Sequence, residues 1–359
     1  MSMSSVTGAR SADRIGSTSA VLGKSTAIHY WAAVGAFFIV LQVYIFARWI
    51  GSEHFTPAPI GDTPQPQFQQ YVMWLFQSTV PLFMLGGWAW IAWQARRDGR
   101  LPAYGLIMLG WASVYWQDPL INYVRPSFSY SSYWVNFGSW CELVPGWLSP
   151  NGSKMPEPLL FGAGAYAFFV PISALICLGW MRLAKRLVPS INTLGLIGVA
   201  LVSMFVTDML AEGTMVLTGV YSYLGVIHSL SIFDGELHQF PLYESLLGGG
   251  CAAATGSLLY FRDDKGNMLV ERGLENLKRK RGNELLRVLA VSGFVNIVVS
   301  TYTVLFIFLN LQLDAFPKDV PSYFLNGVCG KGTDYECPGP DVAIPLKSSG
   351  PLPPFTGRN

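Results

Sequence analysis

An all-α, polytopic membrane helix bundle of about seven transmembrane helices is the fold class this sequence predicts. Three observations carry that prediction. Of 359 residues, 51% are hydrophobic and 13% charged, where soluble domains carry about 25% charged residues. Seven apolar stretches approach or exceed the roughly 20 residues that a helix needs to cross hydrocarbon. Lysine and arginine concentrate in every second connection, as the positive-inside bias requires. Twelve Trp and sixteen Tyr suit aromatic belts at two bilayer surfaces. A net charge of +2 gives no footprint for nucleic acid.

The first 26 residues are polar and rich in Ser, Ala and Gly, with Arg10, Arg14 and Lys24, so they read as a disordered cytoplasmic tail without a cleavable signal. The spans follow at 27–50, 70–94, 103–121, 158–181, 192–220, 241–261 and 286–311. Pro81 predicts a kink in the second. Gln117-Asp118-Pro119 interrupts the outer end of the third. The fifth is long enough to tilt, or to unwind at Glu212-Gly213-Thr214. In the sixth, Ser245, Gly249, Ala253 and Ser257 recur at four-residue spacing, as do Gly248, Ala252 and Gly256, which predicts close helix packing within the bundle.

Orientation follows from the connections. Arg96, Arg97 and Arg100 lie in 95–102; Arg182, Lys185 and Arg186 lie in 182–191; and 262–287 is the most basic, with the run Lys278-Arg279-Lys280-Arg281. By contrast, 51–69 and 221–240 hold no Lys or Arg, and 122–157 holds only Arg125 and Lys154. The N-terminus is therefore expected in the cytoplasm and the C-terminus outside, in a multi-pass cell-membrane protein with lipids as its partners. The 262–287 loop reads as an ordinary positive-inside anchor.

The outer connection 122–157 is aromatic and sparsely charged, which does not suit a loop in bulk water. It is expected to fold over the bundle as a lid. Residues 312–359 form a Pro/Gly-rich outer tail, where Cys329 and Cys337 are the candidate local disulfide. No spacing among the five cysteines resembles a zinc site.

Asp208 and Glu212 stand inside an apolar span, where an unpaired carboxylate is costly. Four residues apart, they share one helix face. Asp118 ends the third span and Glu244 begins the sixth on the outer side, while His228, Glu236 and His238 occupy the connection between the fifth and sixth. All are expected in one layer near the outer boundary. A carboxyl in a dry site without a counter-ion holds its proton near neutrality and serves as a general acid. Glu236 and His238 also suggest a weak metal-binding alternative, although their spacing matches no known ligand motif.

The segments Trp116-Gln117-Asp118-Pro119-Leu120-Ile121-Asn122-Tyr123, Asn136-Phe137-Gly138-Ser139-Trp140, Pro145-Gly146-Trp147-Leu148-Ser149-Pro150-Asn151 and Pro156-Glu157-Pro158, with the Asp208/Glu212 span, resemble the AveC-like spirocyclase family of actinobacteria. The similarity covers most of 27–312. The resemblance implies closure of a spiroketal from a dihydroxy-ketone in a lipophilic polyketide-like substrate, with dehydration in some members and no cofactor. The membrane argument, rather than the resemblance, selects the residues. Glu212 or Asp208 acts as acid, and the other or Asp118 steadies the oxocarbenium ion, with Glu244 completing the cluster. Trp116, Tyr123 and Trp134 offer cation–π support; Asn122, Glu236 and His238 join them as candidate substrate contacts. The competing classes are a terpenoid or lipid cyclase or isomerase using the same proton chemistry, and a transporter or lipid-binding subunit whose carboxylates couple protons.

Overall fold

The computed structural model describes residues 26–277, 283–325, 327–342 and 344. The polar N-terminal tail, the run Lys278-Arg279-Lys280-Arg281 and the last residues of the C-terminal tail lie outside them. Helices follow the apolar stretches closely. They are α1 (Ala27–Ile50), α2 (Gln67–Asp98), α3 (Ala103–Ala112), α4 (Leu159–Gly164), α5 (Val170–Leu187), α6 (Thr193–Leu217), α7 (Leu242–Tyr260) and α8 (Asn283–Asn310). A π-helical turn at Ala165–Phe169 joins α4 to α5. Among the described residues, five helices are long and apolar enough to cross a membrane: α1, α2, α4 to α5 taken as one, α6 and α8. At 19 residues α7 is long enough, but Glu244 and its many small residues make it less apolar.

The third stretch departs from the expectation of a full span. The α-helix stops at Ala112, and a 3-10 helix at Tyr115–Asn122 carries the chain onward. Pro119 supplies no N–H to continue an α-helical ladder there. The fifth stretch does not unwind: α6 stays helical through Glu212-Gly213-Thr214, and the Thr214 hydroxyl donates to the Leu210 carbonyl at 2.5 Å.

Small residues decide which helices touch. A Cβ on Gly249 would lie 2.8 Å from the Met204 carbonyl of α6, and one on Gly256 would lie 2.5 Å from the Cys177 sulfur of α5. The stripes of α7 therefore seat it between α5 and α6. Gly35 and Gly293 bring α1 and α8 into backbone contact in the same way. At one end of the bundle Arg287 binds Glu271 at 2.5 Å, Glu284 at 2.8 Å and the Leu101 carbonyl at 3.1 Å. The Ile28 amide donates to the Arg272 carbonyl at 3.2 Å. This is the basic end, and residues 262–277 are folded onto it rather than looping free.

At the opposite end three connections interlock as a cap. Strand β1 (Phe128–Tyr130) pairs antiparallel with β2 (Tyr221–Tyr223), Phe128 opposite Tyr223 and Tyr130 opposite Tyr221. Alternation along a strand sends these four aromatic side chains to one face, toward the bundle. Ser129 and Ser222 point the other way, donating to the Phe324 carbonyl at 2.5 Å and the Leu237 carbonyl at 2.6 Å. The C-terminal segment, with its short helix α9 (Ser322–Leu325) and a Cys329–Cys337 disulfide, closes the cap from above. The 122–157 connection contributes β1 to this cap.

Candidate active site: an acid-lined cavity beneath the cap

A tight connection joins α5 to α6 at the basic end, where Met181 shares a buried cluster with Leu196 and Ala200. Toward the cap the space between them becomes a cavity of about 590 Å3, within the range that takes drug-sized molecules. Its roof is the aromatic face of the ribbon: Phe128, Tyr130, Tyr221 and Tyr223. Asp118, Asp208, Glu212 and Glu244 all line it, and among the described residues no Lys, Arg or His does.

Four of the carboxyls near the cavity form two pairs of the same build. Asp208, half-buried on α6, faces Glu244, 5% exposed on α7. Gly248 sits against both: a Cβ there would lie 2.8 Å from Glu244 Oε1 and 3.2 Å from Asp208 Oδ1. Asp118, half-buried in the 3-10 helix, faces Glu157, 2% exposed behind it. In the first pair both carboxyls line the cavity; in the second only Asp118 does, with Glu157 behind it. Tyr166 donates to Asp118 at 2.7 Å, Tyr130 to the same oxygen at 3.4 Å, and Tyr302 to Glu244 at 3.4 Å. The remaining oxygens, Asp118 Oδ2, Glu157 Oε2, Asp208 Oδ2 and Glu244 Oε2, meet no N–H or O–H donor among the described residues. Burial first, then the charge of Asp118, pushes the Glu157 carboxyl well above its ordinary range.

Glu212 differs. It accepts from the Tyr223 hydroxyl at 3.2 Å and from the Tyr221 hydroxyl, so both its oxygens are held by the roof.

The six residues expected to contact substrate lie elsewhere. Trp116 is in the core, its carbonyl accepting from Trp140 at 2.8 Å. Asn122 accepts from the Ser127 and Phe128 amides, each at 2.9 Å, and so sets the turn into β1. Tyr123 packs edge-on against Trp147. Trp134 stacks on the cavity residue Phe161 and donates to the Val220 carbonyl at 2.9 Å, one layer behind the wall. Glu236 is exposed, and His238 lies against Phe233, on the solvent side of the roof. The polar turn they occupy projects outward, with His228 paired to Asp234 at 2.6 Å. These groups do not join the carboxyl layer. Among the described residues no three His, Cys, Asp or Glu converge as a metal site.

Residue-by-residue reading of the spans passed over Glu157 and the five tyrosines. Glu157 sits in a loop, outside any apolar stretch. The tyrosines of the roof had a signal: Phe128-Ser129-Tyr130 and Tyr221-Ser222-Tyr223 alternate aromatic and serine with period two, the mark of a ribbon with one buried face.

A bundle of long apolar helices around a carboxyl-lined cavity defines a membrane-type helical protein. The model of the family described as spirocyclase AveC-like matches residues 97–327, more than half of the chain, and the chain belongs to that family. All five carboxyls fall inside the match. Membership supports a cyclase-type enzyme role. No curated protein and no solved structure matches.

Proposed function

We propose that the cavity is the reaction chamber of a membrane-embedded cyclase that closes a spiroketal from a dihydroxy-ketone in a lipophilic, polyketide-like substrate. The observation that carries this reading is the two aspartate–glutamate contacts at one cavity that no Lys, Arg or His of the described residues lines. Two ionised carboxylates are acceptors only, so a direct contact between them needs a shared proton. Each pair therefore offers one proton to give and one site to take a proton back.

The chemistry uses that supply. The ketone oxygen takes a proton while one substrate hydroxyl adds and loses its own. The hemiketal hydroxyl is then protonated and leaves as water. The second hydroxyl attacks the oxocarbenium ion and gives up its proton, so dihydroxy-ketone becomes spiroketal plus water with no net proton change. Asp208, backed by Glu244, is placed as donor to the departing oxygen. Asp118, backed by Glu157, serves the attacking hydroxyls. Glu212, anchored by two tyrosines, steadies the cation, and fixed groups of this kind cost no reorganisation as charge develops. Aromatic faces of the roof add to this stabilisation. The basic end faces the cytoplasm in this reading and the cap faces outward, as the Lys/Arg distribution directs.

The test uses purified protein in phosphatidylcholine vesicles with a synthetic long-chain dihydroxy-ketone, followed by chiral chromatography of the product. Wild type gives one stereoisomer faster than protein-free vesicles; Asp208→Asn and Glu212→Gln abolish turnover while membrane expression persists. Wild-type rates in both variants overturn the assignment. Proton-coupled uptake without product formation would indicate a transporter instead.

A further inference from the structure

The cavity has a side opening that acid chemistry alone does not require. Toward the basic end α5 and α6 close on each other around the buried cluster of Met181, Leu196 and Ala200. Toward the cap the start of α2 meets the segment that follows α6: the Gln65 side-chain amide donates to the Gly219 carbonyl at 3.4 Å, and the Gln69 side chain lies where a Gly219 Cβ would be. Between these two contacts α2 packs along α4 and the π-helical turn and makes no extended contact with α6. The cavity lining crosses the gap from Phe76, Val80 and Phe169 to Ala211 and Thr214. Ala211 and Thr214 are exposed, and Phe169 is 42% exposed. Val206, Leu210 and Leu217 continue the same face of α6 and are exposed as well. A stripe of that composition is lipid-facing.

We propose that this gap is a lateral window through which substrate and product pass within the bilayer, so that the site takes an amphiphilic molecule already dissolved in lipid. The inference rests on the reading of the cavity as the reaction chamber of a membrane-embedded protein. The alternative route, through the cap from water, is closed by the buried ring of Phe128, Tyr130, Tyr221 and Tyr223. The π-helical turn forms one jamb of the window, and such turns recur at functional sites. Phe168 is fixed there, its ring filling the place of a Cβ on Gly87 and stacking with Phe83 at 6.3 Å. Its neighbour Phe169 is left facing the opening. On the opposite jamb the small side chain of Ala211 keeps the way clear. It stands three residues from Asp208, on the same side of the helix, so bulk there obstructs the path to the acid.

The experiment needs no substrate. Ser173 lines the cavity on α5, and Ser173→Cys places a thiol inside it. The full chain in phosphatidylcholine vesicles is treated with lipid-partitioned pyrene maleimide or with a charged, water-soluble maleimide; wild-type labelling is subtracted. Rates are normalised to the same reagents on a cysteine-bearing peptide carried by the vesicle surface. The window predicts labelling of Ser173→Cys by the pyrene reagent with little by the charged one. Adding Ala211→Trp lowers the pyrene rate about tenfold, while Ala211→Ser leaves it unchanged, as a gate would. If the Ala211→Trp protein does not fold, Thr214→Trp, one turn further along the same jamb, takes its place. Preferential labelling by the charged reagent, or a pyrene rate indifferent to bulk at both positions, overturns the window. Neither result touches the cyclase reading, which stands or falls on the carboxyl variants.

Discussion

In the proposed site each aspartate works with the glutamate it contacts. Asp208→Asn removes the donor itself and should leave no turnover above that of protein-free vesicles, a positioned acid being worth about a hundredfold to ten-thousandfold. Glu244→Gln keeps the shape of the pair but cannot share a proton symmetrically, so a smaller loss in kcat is expected with KM unchanged. Equal losses in the two variants would mean the glutamate touches substrate directly. Replacing both Tyr221 and Tyr223 with Phe leaves Glu212 without its two donors; steady-state kinetics should show a fall in kcat of about a hundredfold, the order seen when a charge-stabilising site loses its fixed hydrogen bonds. Glu157 sets a pH dependence. Its folded-state ionisation is raised by burial and by Asp118, so its contribution to stability is present below the ordinary carboxylate range and is lost as pH rises through the raised value. Glu157→Gln carries no ionisable group there, and thermal unfolding should fall less with rising pH than in wild type. An identical pH slope in the two proteins would remove Glu157 from this role. At this scale the sequence showed the carboxyls inside apolar spans, because charge in hydrocarbon is conspicuous. It did not show their partners, because a loop glutamate and a tyrosine in an aromatic protein are ordinary residues until folding brings them together.

The helices explain why the pairs hold their geometry. Gly248 lies between Asp208 and Glu244, so Gly248→Ala pushes a methyl group into their contact while leaving the outer surface of α7 unchanged. Turnover should drop with little change in thermal stability. Gly249→Leu instead collides with the backbone of α6 at Met204, and overpacking of this kind costs about 1–3 kcal/mol or more. A thermal unfolding midpoint unchanged by Gly249→Leu would contradict the packing described. Elements of this kind were legible from periodicity: the helix ends at Ala27, Ile50, Leu242 and Tyr260 fall within a residue of the apolar boundaries. The third stretch was not, since apolar content continues past Ala112 while the backbone changes to a 3-10 helix. That change carries Asp118 to the cavity wall. The placement of Trp116, Asn122, Tyr123 and Trp134 behind the wall has the same origin: their side chains serve the turn into β1 and the packing beneath the cap.

For the molecule as a whole, polarity along the bundle axis organises everything else. The turn at 182–191, the Arg96–Arg100 segment and residues 262–277 gather at one end, where Arg100 reaches Asn267 at 3.4 Å and Arg287 ties the Leu101 carbonyl to Glu271. The cap and its Cys329–Cys337 bond occupy the other. Basic connections resist translocation, and a disulfide persists on the oxidising side of a membrane. The two signals come from unrelated physics, and both agree with the proposed orientation, cap outward. An epitope at the N-terminus should therefore be digested only when protease reaches the cytoplasmic side. One placed in the exposed Lys331 turn should be digested from outside in intact cells. Loss of the bond in Cys337→Ser should loosen the tail by about 2 kcal/mol, since the loop it closes is short, and speed cleavage of the tail without altering that of the N-terminus. Both epitopes cut from one side would reverse the axis, place the acid chamber near the inner surface, and remove the reason for a disulfide in the cap.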